Sequence, residues 1–363
     1  MFRKYQKQIH LWLGLTVGLI SSFSGITGAL YVWQPEISAL FEKDLLKVSD
    51  ARAIAYKDYL QTARDLESVH LDSLKAIRFP ERERQTIRLD FENGDRCYYH
   101  PGNGQYLGKN PSTVSFFDTL LRLHRNLCMG TKGKYIIGTS SLLFGFLILG
   151  TGLYLWYTIY RKRWRKGFSF KKSANSKTFN FDLHKIVGIY GLLLLFIIAI
   201  TGGYFTYYTS YKKILNTIPS FEKENSSSMP LPGSGTPFNF DRTVWGLYPH
   251  YKIRTIIRYP NDGNPSYRFR FINSITIGPG LRKTTDIFTT HDKLVTEVRS
   301  YETSSKTEKI TAQMYPLHKG ESLGFFNRIL VFIGGLLPLV LYITGLRFFL
   351  FRKNIIKPND SIF

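Results

Sequence analysis

The chain has 363 residues and a formal net charge of +23, which leaves room for two or three domains. The charge argues little for nucleic acid, because its densest basic run, residues 161–177, sits directly against an apolar segment. Two cysteines and no Cys-x-x-Cys-His run exclude a covalently attached c-type haem.

The average composition looks soluble, but the apolar residues are clustered. Residues 11–33 carry no charge, nor do residues 135–160 and 186–211, and 329–346 is a further apolar run flanked by Arg328 and Arg347. At 1.5 Å per residue each is long enough to cross about 30 Å of hydrocarbon. Arg3, Lys4 and Lys7 precede the first, as in a secretory leader. Its length, and the lack of a small-residue cleavage site before Trp33-Gln34-Pro35, predict a retained anchor. The expected class is an α-helical membrane protein, a four-transmembrane-helix bundle. Helical spans point to the inner (cytoplasmic) membrane of a bacterium, since outer-membrane proteins are β-barrels.

Orientation follows from the flanks. Arg3, Lys4 and Lys7 come first; Arg161, Lys162, Arg163, Arg165, Lys166, Lys171, Lys172 and Lys177 then lie between the second and third spans, with no acid until Asp182; Arg352, Lys353 and Lys357 follow the fourth. The positive-inside rule places these segments and both termini in the cytoplasm. Residues 35–133 and 212–326 then hold two periplasmic loops.

Each loop reads as a small α+β domain. In the first, 50–65 has helical spacing, and 74–79, 86–91 and 96–100 are strand-like. Residues 98–108 form a hairpin, with Pro101-Gly102-Asn103-Gly104 supplying the turn. The second opens on a Ser/Pro/Gly-rich linker, 226–236, and continues with strands at Lys252–Tyr259, Ser266–Ile272, 285–289 and 294–301, with His291-Asp292-Lys293 at the matching turn. It is read as a diverged copy. The division is therefore 1–34, first span; 35–115, first outer domain; 116–160, interfacial helix and second span; 161–183, basic loop; 184–211, third span; 212–310, second outer domain; 311–353, interfacial segment and fourth span; 354–363, tail. Residues 116–127 are amphipathic, and Gly130-Thr131-Lys132-Gly133 is expected to interrupt them. Cys97 and Cys128 both fall on the outer side, where a disulfide is possible but nothing in the sequence brings them together.

A repeat runs through this plan. His10-x₃-Gly14-x₁₂-Thr27-Gly28 recurs as His184-x₃-Gly188-x₁₂-Thr201-Gly202; His124 is followed 27 residues later by Thr151-Gly152, and His318 is followed 26 residues later by Thr344-Gly345. Histidine is costly in hydrocarbon and a common metal ligand. Four at equivalent points of four spans point to bound metal, haem foremost, and of b type because the covalent motif is missing.

The same residues resemble a known family, the PepSY-associated transmembrane proteins, also called iron-regulated membrane proteins. The likeness rests on His10-x₃-Gly14, Leu123-His124-Arg125, Thr151-Gly152-Leu153-Tyr154-Leu155-Trp156, His184-x₃-Gly188 and Leu317-His318-Lys319-Gly320. The hairpin around His100-Pro101-Gly102-Asn103-Gly104 is similar to the Asp-Pro-x-Thr-Gly turn of PepSY domains, with His100 in place of the acid and Asn103 in place of the threonine. The resemblance implies two extracytoplasmic PepSY-like domains on the four-helix bundle. For some members it implies inner-membrane reduction of ferric siderophores through two b-type haems; others have no settled role.

Topology pairs the histidines by level. His10 and His184 lie at the cytoplasmic ends, His124 and His318 at the outer ends, and each pair can supply two axial imidazoles to one haem iron. Thr27-Gly28 and Thr201-Gly202 reach the outer level; Thr151-Gly152 and Thr344-Gly345 reach the inner one. There the glycines would admit a flat macrocycle and the threonines donate a hydrogen bond, or both would be ordinary small-residue helix contacts. Arg125 and Lys319 either neutralise haem propionates or face lipid headgroups. His70, His100, His250 and His291 have no such pattern and are read as surface or turn residues, with substrate contact left open for His100 or His291.

The expected function is a di-haem b oxidoreductase carrying electrons outward, from a cytoplasmic reductant or quinol to a ferric siderophore or other ferric complex, with the lipid bilayer as its surroundings and no nucleic acid partner. No Gly-x-Gly-x-x-Gly fingerprint suggests a nucleotide domain. The rival is a cofactor-free regulatory or protease-restraining PepSY-type protein, which would be colourless. A transporter is disfavoured, because the spans lack a polar path.

Overall fold

The computed structural model describes residues 1–51, 53–71, 73–171, 175–218, 231–248, 250–259 and 266–356. Residues 226–230 of the expected linker, Lys172, Lys357 and most of the tail lie outside them.

Four helices are long and apolar enough to span a membrane: Phe2–Val32, Gly130–Tyr160, Ser176–Tyr204 and Gly324–Arg352. The chain is a multi-pass membrane protein. The first helix begins earlier than its apolar run, so Arg3, Lys4 and Lys7 form its first turns. The third ends at Tyr204, where Phe205–Tyr207 break it before a short amphipathic helix, Tyr208–Asn216. The expected interruption at Gly130–Gly133 falls slightly earlier. Leu127 and Cys128 take left-handed conformations (φ 53° and 57°), and Gly130 already opens the second helix.

The helices form a closed ring in which the first packs on the second and fourth, and the third likewise. Close approach of the first and fourth is set by glycine. A Cβ on Gly25 would lie 2.3 Å from the Gly335 carbonyl oxygen, and one on Gly335 2.7 Å from that of Gly25. Small residues let backbones meet where lipid gives no hydrophobic drive. Just below, the Ser22 hydroxyl donates to the carbonyl of Pro338 at 2.9 Å. Arg328, almost fully buried, ties the same two helices at their other end through Glu36 and the Val32 carbonyl, with its guanidinium 4.8 Å from the Trp33 ring centre.

The second helix contains a π-turn at Phe144–Ile148. It explains an irregularity in the repeat: Thr151 lies 21 residues after the opening Gly130, whereas Thr344 lies 20 after Gly324. A π-turn wraps one extra residue into a helix, and so restores the register of everything after it.

The two loops do not make two domains. Strands β1 (Leu74–Arg78), β2 (Ile87–Phe91), β3 (Arg96–Tyr99), β4 (Tyr106–Lys109), β5 (Lys252–Tyr259), β6 (Ser266–Ile272), β7 (Thr284–Thr289) and β8 (Val295–Ser300) form one antiparallel sheet ordered β4-β3-β2-β1-β5-β6-β7-β8. Each loop supplies a four-strand meander, and the meanders join where β1 pairs with β5, Ile77 opposite Ile256. The physical reason is the edge. A free first strand in each unit would present unpaired backbone groups and apolar side chains, and here each edge covers the other. The helices Tyr56–His70 and Phe240–Leu247 contribute Leu60, Ala63, Leu66, Val244 and Leu247 to one core with Ile77, Leu89, Ile256 and Phe269. The helix expected at 50–65 is thus displaced to Tyr56–His70.

The two meanders have corresponding turns. His100 sits at the β3–β4 turn, and Lys293 (φ 57°) at the β7–β8 turn. His100 explains its own substitution: its Nδ1 accepts the backbone N–H of Gly102 at 3.2 Å and its Nε2 meets Asp50 at 3.0 Å, so the imidazole holds the turn as a carboxylate would. Cys97, on β3, and Cys128, in the turn before the second helix, are both free.

A buried ionic cluster joins sheet to bundle. Glu81 accepts from Arg254 and Arg282 at 2.7 Å each, and Glu321, with its side chain 1 % exposed, meets Arg82, Arg282 and Lys319. Burial alone would raise the Glu81 carboxyl, but Arg254, Arg82 and Arg282 hold it below the ordinary range. Its stabilising contribution is therefore present above that range and is lost as pH falls through the lowered value. Glu81→Gln takes the carboxylate from Arg254 and leaves Arg82 and Arg282 with Glu321 alone, and should cost about 3–5 kcal/mol. Thermal unfolding of the two proteins at neutral pH measures it, and the gap should close in acid.

Candidate functional site

All four repeat histidines come together in pairs. The rings of His10 and His184 have centroids 6.1 Å apart, and those of His124 and His318 are 6.0 Å apart. The first pair lies at the end of the bundle bearing the basic loop, the second at the end bearing the sheet.

Every histidine is seated on a neighbouring helix beside a Thr-Gly step. The threonine hydroxyls of Thr27, Thr151, Thr201 and Thr344 all donate to carbonyls three and four residues back in their own helices, at 2.5–3.1 Å. Their oxygens are then left as acceptors. Thr151 faces Nδ1 of His10 at 3.0 Å, Thr344 faces Nδ1 of His184 at 2.8 Å, and Thr201 faces Nδ1 of His318 at 3.0 Å. Nδ1 of His10 also reaches the Ile148 carbonyl at 3.1 Å, and Nδ1 of His124 the Ser24 carbonyl at 2.8 Å. Thr27 makes no such bond; the Ser24 carbonyl and hydroxyl (3.3 Å) take its place.

The glycine completes each seat. A Cβ would meet the Cε1 of His124 at 2.7 Å from Gly28, of His10 at 3.1 Å from Gly152, of His318 at 3.3 Å from Gly202, and of His184 at 3.5 Å from Gly345. The repeat's Thr-Gly pairs therefore carry the imidazoles themselves, a more specific role than the small-residue helix contact or the macrocycle contact expected from sequence. Ser24 was invisible as a site residue, because its contribution is mainly a carbonyl.

The chemistry of this arrangement is directional. Carbonyls only accept, and the threonine hydrogens are already committed, so each Nδ1 must carry its proton. Each Nε2 is left with the lone pair, and among the described residues none of the four accepts a hydrogen bond there. A ligating histidine is ordinarily oriented in this way, by donating its other N–H to a carbonyl or similar group. Burial pushes the His124 and His318 imidazoles down, His318 to about 3, which keeps both neutral at physiological pH.

The ring-centre spacing leaves room for one metal atom in each pair. With metal–nitrogen bonds of about 2.0 Å and about 1.1 Å from ring nitrogen to ring centre, two opposed imidazoles on one metal stand about 6.2 Å apart. Among the described residues, no group of three or more His, Cys, Asp or Glu is placed to hold a metal ion. Two donors suit a metal that brings its own equatorial ligands, and leave a bare ion under-coordinated.

The family is decided by comparison of the whole chain. A model of the PepSY-associated TM region matches residues 7–352. The chain belongs to that family. No curated protein matches it. In this PepSY-associated protein the seats lie diagonally: the first and third helices carry the histidines of one level and the seats of the other.

The sheet-end pair opens on a cavity of about 660 Å³ lined by all four helices, with Gly25, Gly28, Ser141, Phe144, Gly202, Gly334 and Gly335 among its walls. That lies within the usual range for ligand pockets, about 300–1,000 Å³. Two polar atoms, Ser21 Oγ and Asn126 Oδ1, are buried without a partner on residues that line it. Arg125 and Lys319 are at its wall; Lys319 Nζ also meets Glu321 at 3.4 Å and lies 5.6 Å from the Tyr31 ring centre. Phe205 packs edge-on against His318, with centroids 5.4 Å apart.

The loop end holds a feature the sequence reading missed. Asp182 and Lys185 form an almost fully buried pair at 2.8 Å on either side of His184. Lys185 donates to the carbonyls of Lys166 and Ser169, and Asp182 accepts the N–H of Lys171. The pair clamps the basic loop onto the bundle. Asp182, the first acid after a long acid-free stretch, was the available signal.

Proposed function

We propose that this PepSY-associated membrane protein binds two b-type haems, one between His10 and His184 and one between His124 and His318, and reduces ferric complexes on the sheet side. The single observation that carries the proposal is the fourfold seat: four Nδ1–H groups anchored, four Nε2 lone pairs free, and two rings per level at the spacing of one metal. Haem, when bound, supplies reversible one-electron Fe(III)/Fe(II) chemistry.

The chain's own residues hold and orient it. His10, His184, His124 and His318 would hold the haem iron, and Thr151, Thr201, Thr344 and the Ser24 carbonyl fix their ring orientation. Gly28, Gly152, Gly202 and Gly345 keep the space that the rings occupy. Arg125 and Lys319 stand where the carboxylates of an occupant of the sheet-end cavity need neutralising. The positive flanks of the loop end support a cytoplasmic siting for it, with the sheet on the outer side of a bacterial inner membrane. The electron donor is then a cytoplasmic reductant or quinol. The acceptor is a ferric siderophore or other ferric complex, whose iron loosens from hard oxygen ligands once reduced.

Difference spectra, dithionite-reduced minus oxidised, with haem quantified against protein, test the proposal. Two b-haems per chain are expected, and His10→Ala or His318→Ala should each remove or alter one. A preparation that stays colourless after haem reconstitution would overturn it in favour of a cofactor-free regulatory protein. Thr344→Val deletes only the hydroxyl at 2.8 Å from Nδ1 of His184. Loss of such an orienting partner costs about 10–100-fold in metal affinity, so haem at the His10–His184 pair should dissociate correspondingly faster in an apomyoglobin capture assay.

A further inference from the structure

The sheet end of the bundle carries positive charge that topology does not require. Residues 119–181 contain no Asp or Glu. Within that stretch, Arg122 and Arg125 share a face of the helix Ser112–Asn126, being three residues apart. The left-handed pair Leu127 and Cys128 turns the chain back, so Lys132 and Lys134 follow at once in the opening turns of the second helix. All four cations are exposed, and none forms an ion pair among the described residues. Arg125, Lys134 and Lys319 line the cavity beside His124 and His318, and no carboxylate lines it.

Basic residues at the loop end orient a membrane chain; basic residues at the opposite end work against that orientation. Their presence at this end calls for another reason. The second helix adds to it, since its first N–H groups point out of the same corner and favour an anion there. A haem in the cavity brings two carboxylates, fewer than the five cations Arg122, Arg125, Lys132, Lys134 and Lys319. The surplus is positive even after Glu321 is set against Lys319.

We propose that this corner is the docking site for the ferric substrate, and that it selects complexes carrying free negative charge, such as carboxylate-bearing chelates, over neutral or cationic ones. The proposal rests on the reductase reading for its purpose, but the binding is separable from it. Lys134 at the cavity wall, with the exposed Lys132 and Arg122 beside it, supplies the contacts to the chelate's outward oxygens, while Arg125 and Lys319 stay with the carboxylates of the cavity's occupant. The same carboxylate or phosphate chemistry is offered by phospholipid headgroups, so lipid composition is part of the test.

The full chain, in nanodiscs of phosphatidylcholine, is titrated with gallium(III) citrate, a redox-inert anionic complex, and with a neutral gallium(III) trihydroxamate, following tryptophan fluorescence. The anionic complex should bind at least about tenfold more tightly than the neutral one. Lys132→Gln combined with Lys134→Gln should weaken it by about tenfold or more, and Lys132→Arg combined with Lys134→Arg should keep most of the affinity. Added salt should weaken it too. Equal affinity for the two complexes, or no change in the double variant when its unfolding temperature matches the parent, would overturn the proposal. So would loss of citrate binding on exchange to anionic phosphatidylglycerol discs, which would mark the corner as a headgroup site. Gallium citrate binding to a colourless protein would leave the docking site standing and remove the reductase. A two-haem protein that ignores gallium citrate would do the reverse.

Discussion

Gly28→Val should empty the sheet-end histidine pair, while Gly345→Ala should leave the loop-end pair almost as it was. The two substitutions are alike in sequence terms, since both fall on the glycine of a Thr-Gly repeat. They differ in what the new side chain meets. From Gly28 even a Cβ would stand 2.7 Å from Cε1 of His124, closer than carbon atoms approach, and valine adds two methyl groups to that clash. From Gly345 a Cβ would stand 3.5 Å from Cε1 of His184, an ordinary contact. His124 cannot retreat freely, because its Nδ1 is held to the Ser24 carbonyl in the same helix as Gly28. The expected result is one b-haem per chain for Gly28→Val and two for Gly345→Ala. Gly152→Ala (3.1 Å) and Gly202→Ala (3.3 Å) should fall between them, with altered reduction potentials. If Gly28→Val and the three alanine variants all behaved alike, the seats would not be doing what their geometry indicates.

Deletion of Leu147 should be tolerated, and deletion of Ile333 should not. Both residues face outward from their helices, at 42 % and 43 % exposure, so neither removes a core side chain. Leu147 lies within the π-turn Phe144–Ile148. Taking one residue from that turn lets the second helix run as continuous α-helix and returns Thr151-Gly152 to its place, 20 residues after Gly130, as Thr344 stands after Gly324. The fourth helix has no surplus residue. Deleting Ile333 rotates everything beyond it by about 100° and swings Thr344-Gly345 away from His184. The deletion of Leu147 should keep both haems, and the deletion of Ile333 should lose the one held by His10 and His184. Loss of haem from the Leu147 deletion would mean that the turn is needed in itself, for instance to present the Ile148 carbonyl to His10.

Much of the bundle was legible because membrane helices obey one strong rule. Every span is a long apolar run, and four histidines recurring at its ends already implied two levels. The pairing His10–His184 and His124–His318 followed from antiparallel topology alone, and the contact distances agree with it. Strands such as Lys252–Tyr259 and Ser266–Ile272 were legible from alternation. Their assembly was not. The β1–β5 pairing joins Ile77 to Ile256, residues far apart in the chain, and an edge that needs covering leaves no mark in the sequence that names its partner. The π-turn did leave one, in the spacings of 27 and 26 residues between histidine and Thr-Gly. A one-residue difference gives no hint of which helix absorbs it. The seats were half legible: the glycines and threonines stood out, but their partner turned out to be the imidazole, and the fourth anchor is a backbone carbonyl with no sequence signature.

The central claim is that each histidine pair holds one haem iron, and the electron paramagnetic resonance spectrum of the oxidised protein tests it most directly. The ring planes of His10 and His184 stand at 89°, and those of His124 and His318 at 40°. Near-perpendicular axial imidazoles give a highly anisotropic low-spin ferric signal, whereas planes closer to parallel give a more rhombic one. Two low-spin species of equal amount, one of each kind, are therefore expected, with His184→Ala removing the first and His318→Ala the second. A spectrum free of low-spin ferric haem in protein reconstituted with haem, or one unchanged by both substitutions, would contradict the account.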